Sequence, residues 1–573
     1  MNFNRLLLTA FLICSEFIAQ GQNYPKNYFH WPLDTPVTVI GTFGEIRDNH
    51  FHSGIDLGTQ EMEGRPVSAA ADGYISRIKV ASDGFGKALY ITHPNGFVTV
   101  YGHLQKFTAP VNEYIKKLQY EKQTFELDIN LKPKDFVVKQ DEVIAYSGQT
   151  GGAQGPHLHF EIRDEKTEEP LNPLLFGLKA FDGLSPEIKY IRIYPTPEAG
   201  IVNFTDSSVL YETQSSDGIL MLNALDNPVV YGYISFGVGT IDHIDNSTGE
   251  LGIYSAELSV DNKPVYSWQY DRFNFNETKQ ANAHIDYTSY IRDRTTIERF
   301  YKLPGNRLTI YSDPLQLGTQ YFIEDGQHDI KIVVKDFSGN KSQIEFVVQV
   351  NSALNSKPYQ SHQQDAVLVT NEKGVALHKS NLDVAIPTDA VYEDMYYSDQ
   401  EMKSPQYLSS TYRIGSWYEP LNLPITIGIK PEKEIADSLK SKVIVAEVQR
   451  FGKLKGRGGV WSGKMVSAQV PSFGDYTLVM DTIAPEIEKL YVPADLNSYR
   501  GGVIQFKITD NLSAIKSYTG KVDGKWMLFE YDKKNDQLTC DVSSMAVNKE
   551  HKAELVVIDE RNNVRNYEYV FYY

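Results

Sequence analysis

The clearest pattern of hydrophobic and polar positions lies in the run from Gly155 to Glu161, where apolar and polar side chains alternate. A period of two predicts a β-strand, in which successive side chains point to opposite faces. His157 and His159 would then share one face, while Leu158 and Phe160 face a core. Two imidazoles side by side indicate a metal site, or one metal ligand beside a group that transfers protons.

The surrounding segment, from about residue 24 to 176, is a series of short strand patterns separated by turn signals. A hairpin turn is expected at Pro94-Asn95-Gly96, and the adjacent His93 should be exposed to solvent there. One helix is expected at 111–122, where apolar positions recur at helical spacing. The strands are predicted at 65–71, 74–81, 87–92, 97–103, 142–147 and 157–163.

Beyond residue 178 the chain contains a faint internal repeat. The tripeptide Pro-Glu-Ile occurs at 186–188 and again at 485–487. A strand pattern that runs into a turn rich in Asp and Asn occurs at 333–340 and again at 556–563. A strand, such a turn and a second strand are typical of the closing hairpin of an immunoglobulin-like sandwich.

These patterns predict a mostly β protein with four domains. A compact antiparallel β domain is expected at 22–180, immunoglobulin-like β domains at 181–352 and 483–573, and a β-sandwich-like domain at 353–482. The first immunoglobulin-like copy is too long for one sandwich, so it should carry an insertion at about 230–320. Within 353–482 we expect β-edges at 415–419 and 474–480 and a short helix at 432–439.

The length of the chain indicates several domains, and its charge argues against one class of function. A chain of 573 residues is too long for a single hydrophobic core, and its hydrophobic content of 41% is enough to form several. The net charge of -17, without a basic cluster, argues against nucleic acid as the partner.

The N-terminus predicts export. A weakly positive start precedes a nine-residue apolar run that ends at Cys14, and small residues at 19–21 favour cleavage before Gln22, so residues 1–21 should be a signal peptide. The alternative is a lipoprotein signal with Cys14 acylated, which the bulky Ile13 disfavours. No later apolar run reaches about 18 residues, so no transmembrane segment is expected. Cys540 lies in a strand pattern and should be a buried structural residue.

A second group of polar residues could complete a metal site with the histidine pair. His52 and Asp56 are four residues apart, and the flanking Gly54 favours a strand or a turn. Two histidines and one carboxylate form a common ligand set for catalytic zinc, with the fourth position left for water. His103 ends a predicted strand, where it is either a turn histidine or a part of the site. His50 should be an outer neighbour or a surface residue.

Five motifs, in order and spacing, resemble those of the lysostaphin-type zinc metallopeptidases over residues 35–176. They are Gly41-Thr42-Phe43-Gly44, His52-Ser53-Gly54-Ile55-Asp56, Tyr101-Gly102-His103-Leu104, Gly148-Gln149-Thr150-Gly151 and Gly155-Pro156-His157-Leu158-His159-Phe160-Glu161. The family cuts peptide bonds in the stem or cross-bridge peptides of bacterial peptidoglycan. The sequence departs from the family pattern at 152–154 and in a long insertion at 104–139, which bears on substrate choice more than on chemistry.

The resemblance implies a role for each site residue. His52, Asp56 and His159 would bind one Zn²⁺ per chain, and His103 and His157 would be the catalytic histidines, with the acid and base roles not assigned between them. Glu161 follows His159 on the same strand face, where it would either orient that ligand or be a surface carboxylate.

The resulting hypothesis is an exported, periplasmic or extracellular zinc endopeptidase that cleaves peptidoglycan peptides. Its C-terminal β domains could dock it on the cell wall, bind a cell-envelope protein or shield the groove. Two alternatives remain: a non-catalytic regulator or scaffold for other wall hydrolases, and a peptidase that acts on a protein substrate.

Overall fold

The computed structural model describes residues 24–245, 249–312, 317–356, 366–491, 502–547 and 549–573. Short strands in antiparallel sheets dominate these ranges, which confirms the expected mostly β class. The predicted signal peptide, with Cys14, lies outside the described residues. Within the described ranges, no helix is both long enough and apolar enough to cross a membrane.

The first domain is built on a nine-stranded sheet whose central strands carry the site. These are β1 (Ile55–Gly58), β2 (Phe97–Gly102) and β3 (His157–Asp164), with β3 hydrogen-bonded between the other two. Its other strands are Val39–Gly41, Gly73–Val80, Lys87–Thr92, Leu127–Asn130, Val137–Val138 and Pro170–Leu171. Two small sheets flank it, formed by Pro66–Ser68, Lys106–Phe107 and Val143–Tyr146, and by Ile46–Arg47 and His50–Phe51.

The expected helix is present as α1 (Ala109–Lys122). A proline in its first turn has a backbone φ suited to helix entry, and the left-handed Gln123 ends it. Val111 and Ile115 are buried in the core of the domain, as the apolar spacing of this segment predicts. A 3₁₀ turn, Pro173–Phe176, closes the domain.

The alternation around β3 is confirmed, whereas the prediction for His93 is wrong. Leu158 and Phe160 are fully buried beneath the sheet. His93 is only 2% exposed. Its Nδ1–H donates to the Asp72 carbonyl at 2.9 Å, and its Nε2 lies 2.8 Å from the Thr99 hydroxyl. The ring turns inward from the hairpin because both of its nitrogens find hydrogen-bond partners there.

The second unit contains a continuous ten-stranded sheet. Its strands are Glu187–Val202, Val209–Ser216, Ile219–Leu222, Val229–Ile241, Ser255–Val260, Lys263–Gln269, Glu298–Arg299, Gln320–Phe322, Gly326–Lys335 and Lys341–Val350. Three short helices, Phe275–Gln280, Ala281–His284 and Tyr287–Asp293, lie inside the segment where we expected an insertion. A final 3₁₀ turn spans Ser352–Ser356. The immunoglobulin-like assignment and the domain limits stay predictions.

The third unit is a sandwich of two five-stranded sheets around its own apolar core. One sheet contains Val375–His378, Leu382–Ile386, Ile425–Ile429, Val460–Ser462 and Met465–Val470. The other contains Asp399–Met402, Thr411–Ile414, Val443–Val448, Leu454–Gly456 and Gly474–Met480. A separate pair joins Val367–Val369 to Met395–Tyr397, and a 3₁₀ turn lies at Arg450–Gly452.

Two local predictions in this unit are wrong. No strand covers 415–419, because Gly415 has a φ of +62° and turns the chain against Phe473. The helix expected at 432–439 is instead a 3₁₀ turn at Asp437–Lys442, none of whose residues is buried. Without an apolar face to pack, that segment gains little from a longer helix. The strand expected at 474–480 is confirmed.

The last unit has two four-stranded sheets. One contains Glu486–Tyr491, Val503–Thr509, Phe529–Asp532 and Gln537–Asp541; the other contains Ile515–Val522, Lys525–Trp526, Glu550–Asp559 and Val564–Tyr572. Cys540 is fully buried in its core, and burial raises the pKa of its thiol to about 12. A thiol in this environment stays protonated, as expected of a structural residue.

The later units pack against the first domain on two sides. Behind the site, Phe43 stacks on Phe273 of the second unit with ring centroids 5.0 Å apart. On the other side, Lys533 of the last unit lies 3.0 Å from Asp83, and Lys534 donates to the carbonyl of Gln149. The last unit therefore borders the loop that precedes Thr150.

Candidate metal centre

Three potential ligand atoms converge at the centre of the first sheet. Nε2 of His52 lies 3.1 Å from Oδ1 of Asp56 and 3.0 Å from Nδ1 of His159. The third side of the triangle, from His159 Nδ1 to Asp56 Oδ1, is 3.0 Å. All three residues are at most 9% exposed. The structure thus brings together, from positions 107 residues apart, the three ligands that the family resemblance implied.

Strand register explains this convergence. Asp56 on β1 pairs directly with His159 on β3, so the two side chains lie on the same face of neighbouring strands. His52 precedes β1 in a loop, and its Nδ1–H donates to the carbonyl of Thr42 at 2.8 Å. The Thr42 hydroxyl in turn lies 3.2 Å from the backbone of Gly252 in the second unit. The orientation of His52 therefore depends on contacts from outside the first domain.

Glu161 binds His159 on the side of the ring opposite the triangle of ligand atoms. This carboxylate is fully buried, and it accepts a hydrogen bond from Nε2 of His159 at 2.9 Å. It also accepts from the Ser53 hydroxyl and from the Arg163 guanidinium. Burial raises the pKa of Glu161, but Arg163 and His159 outweigh this and lower it to about 2. The sequence allowed Glu161 to be either a group that orients His159 or a surface carboxylate, and its burial shows that the second prediction is wrong.

The donor set fits a divalent cation such as Zn²⁺. Because a carbonyl and a carboxylate can only accept, His52 carries its proton on Nδ1 and His159 carries one on Nε2. When both rings are neutral, the nitrogens that face each other and the Asp56 carboxylate have lone pairs directed at one point. Burial lowers the pKa of His159, but the hydrogen bonds to Asp56 and Glu161 outweigh this and raise the pKa to about 9, so that without a cation Nδ1 of His159 also binds a proton. A cation bound by these three atoms would take the place of that proton.

His103 and His157 lie beside this triangle without belonging to it. Their ring centroids are 4.8 Å apart, and Nε2 of His157 is 3.5 Å from Oδ1 of Asp56. The Nδ1–H of His103 donates to the Thr150 carbonyl at 2.8 Å, and that of His157 donates to the Gly155 carbonyl at 2.9 Å. Each ring therefore keeps Nε2 free as a proton acceptor.

The environment keeps both rings neutral. Burial, followed by the neighbouring His159 and His157, lowers the pKa of His103 to about 3. Burial also lowers the pKa of His157, although Asp56 opposes the shift. His103 adopts a left-handed backbone with a φ of +58°, which is uncommon outside glycine and is often found at functional sites.

Two residues at the centre were not anticipated. Phe85 stacks on His159 with centroids 4.8 Å apart, between two glycines whose pattern indicated only a strand break. Arg47 places its guanidinium 3.3 Å from Oδ2 of Asp56, the oxygen that faces away from His159. Neither position carries a signal in a single sequence: Phe85 lies in a turn, and Arg47 belongs to a strand of only two residues. His50 is exposed, and it donates from Nδ1 to the Asp48 carbonyl.

This arrangement coincides with a match to a known family. The model of Peptidase family M23 matches residues 50–120 and 126–173, a range that includes all five predicted site residues. The chain carries a Peptidase family M23 domain. The Zu5-like domain model matches a second region, residues 366–481, which is the third unit described above.

Curated relatives match about a quarter of this chain. "DD-carboxypeptidase/endopeptidase Mpg" of Neisseria meningitidis is 34% identical over 127 residues, which are 22% of this chain and 23% of the relative. "Peptidoglycan DD-endopeptidase ShyC" of Vibrio cholerae is 27% identical over 150 residues, which are 25% of this chain and 28% of the relative. The alignments thus span less than a third of these relatives.

Solved structures also match only about a quarter of this chain. The catalytic domain of lysostaphin from Staphylococcus simulans is 23% identical, with a TM-score of 0.17, and covers 27% of this chain and 92% of its own. A zinc-containing peptidase from Vibrio cholerae is 26% identical, with a TM-score of 0.20, and covers 26% of this chain and 39% of its own.

Proposed function

We propose that the chain is an exported zinc endopeptidase that cleaves peptide bonds in peptidoglycan stem peptides or cross-links. The observation that carries the proposal is the triangle of three lone-pair atoms from His52, Asp56 and His159, with two further neutral histidines beside it. The substrate class is supported by a relative from Vibrio cholerae that is named a peptidoglycan DD-endopeptidase. An envelope location is proposed on the same basis.

Three residues of this chain would bind the metal, and two would transfer protons. His52, Asp56 and His159 would hold one Zn²⁺, which when bound polarises a scissile carbonyl and lowers the pKa of bound water towards roughly 7. His103 and His157 present neutral Nε2 atoms at the same site. Each can accept a proton from the attacking water, or return it to the leaving amine, with the Nδ1–H anchored on a backbone carbonyl.

The anchoring of these two rings has a consequence for catalysis. Because a backbone carbonyl fixes each tautomer, the Nε2 atoms need no reorganisation before they accept a proton. Such a positioned group typically contributes about 10²–10⁴ in rate. The full set of five residues favours an enzyme over a non-catalytic regulator, which needs neither neutral histidine.

The decisive experiment compares the zinc-loaded full chain with its His103→Ala and chelated forms on purified sacculi. Mass spectrometry of the released peptides should show cleavage by the unmodified protein only, and the mass of the fragments identifies the bond. Absence of both bound zinc and released peptide would favour the scaffold alternative. Cleavage of a secreted protein without cleavage of sacculi would favour the protein-directed peptidase.

A further inference from the structure

Two clusters of three aspartates lie at the joints that precede the two repeated units. Asp182, Asp242 and Asp336 form the first cluster, and Asp481, Asp510 and Asp559 form the second. In each cluster, carboxylate oxygens from the three residues lie within 4.8 Å of one another. Neither cluster has a part in the proposed peptidase chemistry.

The two clusters occupy equivalent positions in the internal repeat. Asp182 and Asp481 each stand four residues before the proline of a Pro-Glu-Ile motif. The glutamate of that motif pairs across the sheet with Ile241 in the first copy and with Thr509 in the second. The residue that follows this partner is Asp242 in one copy and Asp510 in the other.

The third aspartate begins the closing turn in both copies. Asp336 stands four residues before Asn340, and Asp559 stands four residues before Asn563. Each asparagine donates from Nδ2 to this aspartate, at 2.8 Å in the first copy and 2.7 Å in the second. The same Nδ2 donates to the backbone carbonyl of Asp182, or of Asp481, at 3.2 Å and 3.1 Å. The same arrangement of three aspartates and one asparagine, with the same hydrogen bonds, therefore occurs in both copies.

Buried oxygens in both clusters lack partners. Asp242 is 3% exposed and Asp481 is fully buried, and within the described ranges Oδ1 of Asp242 and Oδ2 of Asp481 have no hydrogen-bond partner. Oδ1 of Asp510 is also buried and unpartnered. Buried carboxylates are costly unless a counter-charge or hydrogen bonds satisfy them. Each cluster is thus short of positive charge.

Side chains do not supply that charge in the part of the chain that the structure describes. No Lys or Arg nitrogen there forms an ion pair with any of the six carboxylates. Lys442 approaches the second cluster, but it donates to Asn563 Oδ1 at 2.6 Å and to the Arg561 carbonyl at 2.7 Å.

We propose that each aspartate cluster binds one Ca²⁺. An all-oxygen, all-carboxylate ligand set suits a hard cation rather than a metal that prefers nitrogen or sulfur. Two oxygens that share one Ca²⁺ can be up to twice the bond length of about 2.3–2.6 Å apart, and the three oxygens of each cluster lie within 4.8 Å of one another.

The sites would fix the joints between units. The first cluster lines a small cavity together with Val39, Phe43 and Leu174 of the first domain. The second connects Asp481, directly after the last strand of the third unit, to the last unit. Calcium would therefore lock the M23 domain onto the second unit and the third unit onto the last one.

The test is calorimetric titration of the full chain with CaCl₂, after removal of metals and return of one equivalent of Zn²⁺. Sites in extracellular modules bind with a Kd of about 10⁻⁴–10⁻³ M, so the titration should reach about 10 mM. We expect two Ca²⁺ per chain, one after Asp242→Asn, one after Asp510→Asn and none after both. Asp226→Asn, an exposed aspartate of the second unit, should keep two.

A melting experiment covers the case in which a variant fails to titrate because it is misfolded. Calcium should raise the melting temperature of the unsubstituted chain. Without calcium, Asp242→Asn should melt no lower than the unsubstituted chain, because it removes one of three charges that repel each other. The proposal is overturned by no calcium binding, by binding of Mg²⁺ or Mn²⁺ in preference to Ca²⁺, or by a stoichiometry that neither substitution changes.

Discussion

The Glu161 carboxylate accepts a hydrogen bond from Nε2 of His159 at 2.9 Å, from a position without any exposure to solvent. This contact places the lone pair of His159 on Nδ1, towards His52 and Asp56. The proposed metal centre therefore depends on a buried residue that does not itself face the expected metal position.

Replacement of Glu161 by glutamine should weaken zinc binding. The neutral amide is a poorer acceptor for the His159 N–H, and it leaves the Arg163 charge unpaired beside it. Loss of such an outer contact typically costs about 10–100-fold in metal affinity. Competition against a chromophoric chelator measures the change. Glu165→Gln, at an exposed glutamate directly after β3, is the matched control, and equal affinities of the two variants would contradict the role of Glu161.

Substitution of the two strand histidines should have unequal effects. His159→Ala removes a proposed ligand and should abolish zinc and hydrolysis together. His157→Ala should keep most of its zinc while peptide release from sacculi falls by about 10²–10⁴. Zinc content by mass spectrometry, read beside released peptides, separates the two effects. Loss of zinc in both variants would show that His157 is a ligand as well.

Gly54→Ala should disrupt the site through the backbone. A Cβ at Gly54 would lie 2.4 Å from the carbonyl oxygen of Phe160 and 2.8 Å from Cγ of Glu161. Neither can move without shifting β3, so we expect a loss of about 1–3 kcal/mol in stability together with weaker zinc binding. Gly155→Ala meets no atom within 4 Å and should behave like the unsubstituted protein in urea unfolding and zinc titration. Equal stability of the two variants would argue against this packing.

The buried His93 should make stability depend on pH. Burial lowers its pKa from 6.5 to about 4. Between these values the unfolded chain binds the proton and the folded chain does not, so this contribution is complete above about pH 6.5 and is lost as pH falls towards 4. The slope is about 1.4 kcal/mol in the free energy of unfolding per pH unit.

Urea unfolding at several pH values, compared between the unsubstituted chain and His93→Gln, isolates this contribution. The two curves should converge as the pH falls from 6.5 to 4. His50→Gln removes an exposed histidine from the same domain and controls for the loss of a histidine as such. Parallel curves for His93→Gln and the unsubstituted chain would refute the assignment.

Much of the M23 domain could be predicted locally. The alternation around His157 and His159 requires only the two-residue period of a strand, and the spacing of Val111 and Ile115 requires only the helical period. Predictions of this kind succeed because the hydrophobic face of an element is a property of its own residues. The prediction of a helix at 432–439 fails, because the segment packs only Ile435 against the core of the third unit and has too small an apolar face to stabilise a helix.

By itself, the sequence determined the alternation of apolar and polar residues in the strands and the residue types of the candidate metal ligands. It also determined the presence of an internal repeat with aspartates at equivalent positions. Only the tertiary structure decided that Glu161 is buried behind His159, that His93 turns inward, and that Asp242 meets Asp182 and Asp336. The physical reason is that burial and charge environment depend on which strands become neighbours across long sequence separations. A carboxylate on a strand face becomes a surface group, a positioning group or a cation ligand according to the residues that the sheet brings beside it.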